Sequence, residues 1–162
     1  MPRQPIEAGA VCECVASLLA TCAWADDNAP VELLRDGWLL SNLCGRLRLF
    51  SASSDGASGD AAAALCSALY ALLRLPCAER REEAASLSVI EHAVAVLRVH
   101  CGSARACRAA SYLLGAVCAG SRARAARARG IGAAAFLEAA GNAHNFSPRV
   151  NRALRTILQL TA

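Results

Sequence analysis

The sequence predicts an all-α protein assembled from helical units that recur along the chain. Three observations carry this. Apolar residues return every three or four positions in every long segment, and nowhere does a strand-like alternation of period two compete. The chain is 56% hydrophobic but only 4% aromatic, so its core must come from Leu, Val, Ala and Cys, mostly small or straight side chains that suit closely packed helices. Finally, several helix ends superimpose: LLSNLCG (39–45), LLGAVCAG (113–120) and TILQLTA (156–162) align with Asn42, Ala116 and Gln159 in register, and CSALYALL (66–73) adds Ala68. The intervals between these positions are 26, 48 and 43 residues, about 39 on average.

The elements follow in order. Val11, Val15, Leu18, Leu19 and Cys22 mark one face of a helix over 10–22, and Leu33, Gly37, Leu40 and Cys44 mark another over 31–44. RLRLFSASSDGASGD (46–60) is rich in Ser, Gly and Asp and reads as a flexible surface loop. A third helix is expected over 60–75, with Asp60 as N-cap and Pro76 as stop. A fourth, over 85–100, carries Leu87, Ile90, Val94 and Leu97; a fifth, over 104–119, carries Cys107, Ala110, Leu114, Val117 and Cys118. SRARAARARG (121–130) spreads four arginines around most of a short helix, which reads as solvated with no docking face. Helices over 131–140 and 148–161 complete the set, Pro148 being suited to a first helical position. At 162 residues the whole chain, 1–162, is expected to form one domain, because neither side of the 46–60 loop has enough helices to close a core alone.

IEAGAVCECVASLL followed by VELLRDGWLLSNLCG resembles one armadillo repeat, and RARGIGAAAFLEAAGN followed by SPRVNRALRTILQL resembles another, with glycine turns at Gly9 and Gly130. The likeness is close over 6–45 and 121–161 and loose over 46–85, where a helix is missing. It implies a right-handed α-solenoid of about three to four armadillo-like (armadillo/HEAT-like) repeats, each stacked on its neighbours. In nuclear import adaptors of this class the third helix of a repeat carries a Trp and, one turn later, an Asn that holds the backbone of an extended peptide. Trp38 and Asn42 match that spacing. On a helical wheel they also point away from the Leu33–Cys44 stripe. The pair is therefore placed like a clamp, while packing of Trp38 against a neighbouring repeat remains the alternative. The corresponding positions elsewhere hold Tyr112 with Ala116 and Arg155 with Gln159, so a full Trp–Asn ladder is absent.

Charge is unevenly spread. Residues 1–92 hold seven Arg and twelve acids, whereas 93–162 hold ten Arg and a single acid, Glu138. All seventeen basic residues are arginine, which either GC-rich coding bias or a use for arginine's forked donors would produce. Arg105, Arg108 and Tyr112, then Arg152, Arg155 and Gln159, lie opposite their own apolar stripes. Lined up along a groove, these side chains favour carboxylates and phosphates. The expected partner is thus a protein or peptide, with an acidic segment favoured. RNA binding by the basic half is the alternative, although regular base-reading positions are missing.

The nine cysteines lie mostly on apolar stripes without C-x-x-C spacing, so reduced thiols and no metal are expected. No phosphate loop, G-x-S-x-G or H-E-x-x-H motif is present, and a non-catalytic scaffold without cofactor is the expectation. MPRQPIEAG lacks a secretory h-region, and no apolar run reads as long and charge-free enough to span a bilayer. Cytoplasmic residence is expected. Apolar terminal helices further suggest self-association or a place in a larger complex.

Overall fold

Helix starts are set by short polar side chains that accept orphan backbone N–H groups. Asp55 accepts from the Ser58 amide at 2.7 Å, Ser103 from Ala106 at 3.3 Å and Ser121 from Arg124 at 3.3 Å. A computed structural model describes residues 38–74, 77–145 and 155–157. Among them are seven helices: α1 (Trp38–Ser51), α2 (Gly56–Leu73), α3 (Ala78–Ser86), α4 (Val89–Val99), α5 (Ala104–Cys118), α6 (Arg122–Gly130) and α7 (Ala133–His144). A further helical turn covers 155–157, and the described residues contain no strand. The helix expected over 10–22, the start of that over 31–44, most of that over 148–161, and the expectations for Gly9, Cys12, Cys14, Cys22, Pro76, Arg152 and Gln159 lie outside the described residues.

The helices pack in two rows. α1 lies on α4, and α4 on α7; α2 lies on α5 in the most extensive pairing of the molecule. The rows face each other through α1 with α2 and α4 with α5, and α3 and α6 close one side. One continuous core results, from Leu40 through Leu65, Leu97 and Leu113 to Ile157. Ala61, Ala62, Ala68, Ala106 and Ala110 are all essentially inaccessible. Their small side chains let helix backbones approach closely, as the alanine-rich composition anticipates.

Four sequence expectations need correction. The loop expected over 46–60 contracts to Ala52–Asp55: Leu47 is fully buried and Phe50 packs on the core, so burial holds RLRLFS in α1. The N-cap of α2 is Asp55 in place of Asp60. Hydrogen bonds from Ser53 Oγ, then from the Ser58 amide and hydroxyl, lower the Asp55 pKa to about 2, so the charged cap is lost only as pH falls from the ordinary carboxylate range toward that value. The helix expected over 85–100 is two. Ser88 takes the left-handed conformation (φ 60°) and separates α3 from α4, as Gly132 (φ 83°) separates α6 from α7. A serine hid the break that a glycine would have announced. Lastly, α2 is long and apolar enough to cross a membrane by length and composition, with mean hydropathy 1.3 over 18 residues. It is nonetheless 72% buried inside this bundle, and passes that test as a core helix.

The arginine-rich α6 also departs from expectation. Arg124 is 8% exposed. Its Nε donates to the Val117 carbonyl at 2.6 Å, Nη2 to the Ala119 carbonyl at 3.1 Å and Nη1 to Glu82 Oε2 at 2.6 Å. One guanidinium thereby satisfies carbonyls at the C-terminus of α5 and ties α6 to α3. Arg127 reaches Glu91 Oε1 at 2.5 Å and the Ala85 carbonyl at 2.9 Å. The helix has a docking face, and it is turned inward. At the opposite corner the buried His100 ring donates from Nε2 to the Phe50 carbonyl at 3.1 Å. Gly59 gives that ring room, since a Cβ there would sit 3.2 Å from Nδ1.

Candidate functional site

The exposed seam between α2 and α5 brings together Asp60, Ser67, Tyr70, Arg105, Arg108 and Tyr112. The two helices run parallel, as two cross-links in the same order show: Arg105 Nη1 lies 3.6 Å from Asp60 Oδ1, and further along the rings of Tyr70 and Tyr112 meet at 5.6 Å between centroids with a 35° tilt. Helical spacing lines up Arg105, Arg108 and Tyr112 on one face of α5. Both arginines are exposed, while Tyr112 is half-buried. On α2, Asp60 and Ser67 are exposed and Tyr70 is half-buried with one side against the core. Arg155 is exposed and Ile157 buried in the last described turn, which sets Arg155 outward in the sense expected.

Tyr70 was missed by sequence reading. Its signal is weak: it lies ten positions after Asp60 on a helix that is otherwise almost wholly apolar, and only the stacking of α2 on α5 pairs it with Tyr112.

Trp38 and Asn42 lie elsewhere. Both are exposed on α1, Trp38 at 68%, so the indole is not part of the core formed by the described residues. Yet α1 belongs to the row of α4, and the expected register of LLSNLCG with LLGAVCAG does not hold. The 26-residue interval explains this: it separates successive helices α1 and α2, which pack on each other across the two rows. The Trp38–Asn42 pair and the α5 arginines therefore do not line one groove. Leu49, also 68% exposed, falls three turns after Trp38 on the same face of α1.

A second concavity of about 350 Å³ opens between α1 and the α3–α4 turn, lined among others by Ser41, Cys44, Arg48, Ser88 and His92. Desolvation lowers the His92 pKa; Glu91 opposes this and Arg48 adds to it. Burial, assisted by Glu83, pushes the Cys44 thiol up to about 12, so the thiolate needed for nucleophilic or metal-binding chemistry is not populated near neutrality. The cleft thus offers one arginine and an imidazole among serines, with an inert thiol.

The six described cysteines are free, and no group of three or more metal-ligating side chains occurs among the described residues. Burial pushes the Cys66 thiol up, and those of Cys107 and Cys118 to about 11. Cys107 Sγ shares its weak donor between the carbonyls of His100 at 3.4 Å and Cys101 at 3.7 Å, as a small, largely apolar residue does. In the folded protein a maleimide should label the exposed Cys101 well before Cys44, Cys66, Cys107 or Cys118. Peptide mass mapping checks this, and early labelling of Cys66 would contradict the packing of α2.

No protein-family model, curated protein or solved structure matches this chain.

Proposed function

We propose that the protein is a non-catalytic interaction scaffold: a short α-solenoid of armadillo kind that holds a partner's extended segment along the α2–α5 seam. The observation that carries the reading is the seam itself, with an aromatic pair and arginines on the outward face of stacked parallel helices. The repeat is supported by its parts. α3 and α6 are both nine residues long and start 44 residues apart, at 78 and 122. Each is followed by a two-residue turn whose second member is left-handed, then by a longer helix. Ser103, the cap of α5, recurs in the sequence as Ser147 at the same interval. Short helix, turn and two long helices make one unit, and the α2–α5 and α1–α4 pairings are what stacking of such units produces.

The acid-poor, arginine-rich C-terminal portion favours an acidic protein segment over a neutral one. Six free thiols support a reducing, cytoplasmic setting, and the exposed Trp38 and Leu49 support a place in a larger assembly. Replacing Arg108 and Arg155 together by Glu should abolish recovery of the partner from native extract. Both lie outside the core, so the melting temperature should shift by no more than about 2 °C. Retained binding would overturn the seam as the working surface.

A further inference from the structure

Resting on the seam reading above, we infer that the segment bound there is acidic and carries a proline that seats on the Tyr70–Tyr112 pair. Three features of the seam decide this chemistry. First, the two rings are already in contact, 5.6 Å between centroids and tilted by 35°. That separation leaves no slot for a third aromatic ring or a nucleobase between them. What the pair offers is the partly exposed outside of two touching rings, bordered by the core on the α2 side. A pyrrolidine ring is compact and conformationally fixed, buries well on aromatic faces, and needs no deep hole.

Second, the surroundings are cationic but not uniformly so. Arg108 lies one turn before Tyr112 on the same face of α5, and Arg105 one turn before that, beside Asp60. Glutamate and aspartate side chains flanking a proline would be drawn to these exposed guanidinium groups by charge. A phosphodiester backbone, with a charge at every residue, would meet the Asp60 carboxylate wherever it lay, whereas a peptide can set a neutral residue beside it. Charge pattern and ring geometry therefore both favour a peptide over a single-stranded nucleic acid, for which open stacking faces are the rule.

Third, the seam runs straight along two parallel helices. A polyproline-type segment is extended and stiff before it binds, so it loses little conformational freedom on lying down in such a track. The tyrosine hydroxyls supply donors for its unpaired carbonyls, while the Ser67 hydroxyl is already committed to the Ala63 carbonyl at 2.9 Å.

The test is fluorescence anisotropy on the full chain with four labelled probes: a short peptide with a Pro-Pro pair flanked by glutamates, the same peptide with Ala-Ala, the Pro-Pro peptide flanked by lysines, and an oligouridylate. The Glu/Pro peptide is expected to bind roughly tenfold more tightly than its Ala counterpart, the gain of a well-seated ring. Tyr112→Ala should erase that difference. Ser67→Glu, at an exposed position beside Tyr70, should weaken the Glu/Pro peptide while leaving circular dichroism unchanged, and it decides the matter if Tyr112→Ala fails to fold. Equal binding of the two acidic peptides, lost in Arg108→Glu, would overturn the proline seat and leave the seam reading standing. Binding only of the lysine-flanked peptide or the oligouridylate, or of no probe, would overturn the acidic proline ligand itself.

Discussion

Replacing Arg124 by alanine is expected to lower the unfolding free energy by about 2–3 kcal/mol, the range for losing several bonds from one charged and nearly buried donor. The guanidinium closes carbonyls of Val117 and Ala119 at the end of α5 and reaches across to Glu82. Alanine would leave those carbonyls to water at a site that excludes most of it. Glu82 tells the complementary story. Its side chain is 73% exposed against 10% for Arg124, so Glu82→Gln should cost about 1 kcal/mol or less. Urea unfolding followed by circular dichroism measures both. If Arg124→Ala is as mild as Glu82→Gln, the α5–α6 corner is not held as described.

Leu113→Ala is expected to cost about 3 kcal/mol, within the usual 2–5 for a large core side chain. Leu113 is fully buried on α5, the helix that touches α2, α3, α4, α6 and α7. Neighbours on so many sides give the cavity little freedom to collapse, so the surrounding side chains lose contact without relaxing. The melting temperature should fall by roughly 6–12 °C. Trp38→Ala is the informative contrast, since removal of a 68% exposed indole should change stability by no more than about 0.5 kcal/mol. A large loss there would show that Trp38 packs against part of the chain, and the face of α1 would need redrawing.

Much of this architecture was legible in the sequence. The stripe Cys107, Ala110, Leu114, Val117, Cys118 is buried as its spacing requires. Ser121 caps α6 where the arginine run begins. Arg105 and Arg108 point outward as their positions opposite that stripe imply. The failures have specific physical causes. Ser-Gly-Asp composition suggested a long loop over 46–60, but local preference yields to the burial of Leu47 and to a cap at Asp55 that the rest of the run disguises. Ser88 adopts a backbone conformation that composition assigns to glycine, which merged α3 with α4 and hid the short helix before the turn.

The candidate site was half visible for a different reason. Helical periodicity tells which side chains of one helix share a face, so Arg105, Arg108 and Tyr112 were found together. It does not tell which helices stack. Asn42 and Ala116 end similar-looking apolar runs, and similarity alone put them in one row; packing puts α1 beside α4 and α2 beside α5. Tyr70, the partner of Tyr112, follows only from that stacking. The arginines of α6 failed likewise: a wheel that looks polar all round does not reveal that Arg124 folds back onto carbonyls seven and five residues earlier.

The central claim, that the α2–α5 seam holds the partner, is tested most directly by hydrogen–deuterium exchange of the full chain with and without the partner recovered from native extract. The seam account predicts slowed exchange confined to α2 around Ser67–Leu73 and to α5 around Arg105–Ala116, with α1 unchanged. Protection centred on the Trp38–Leu49 face of α1, with α2 and α5 exchanging as in the free protein, would contradict it.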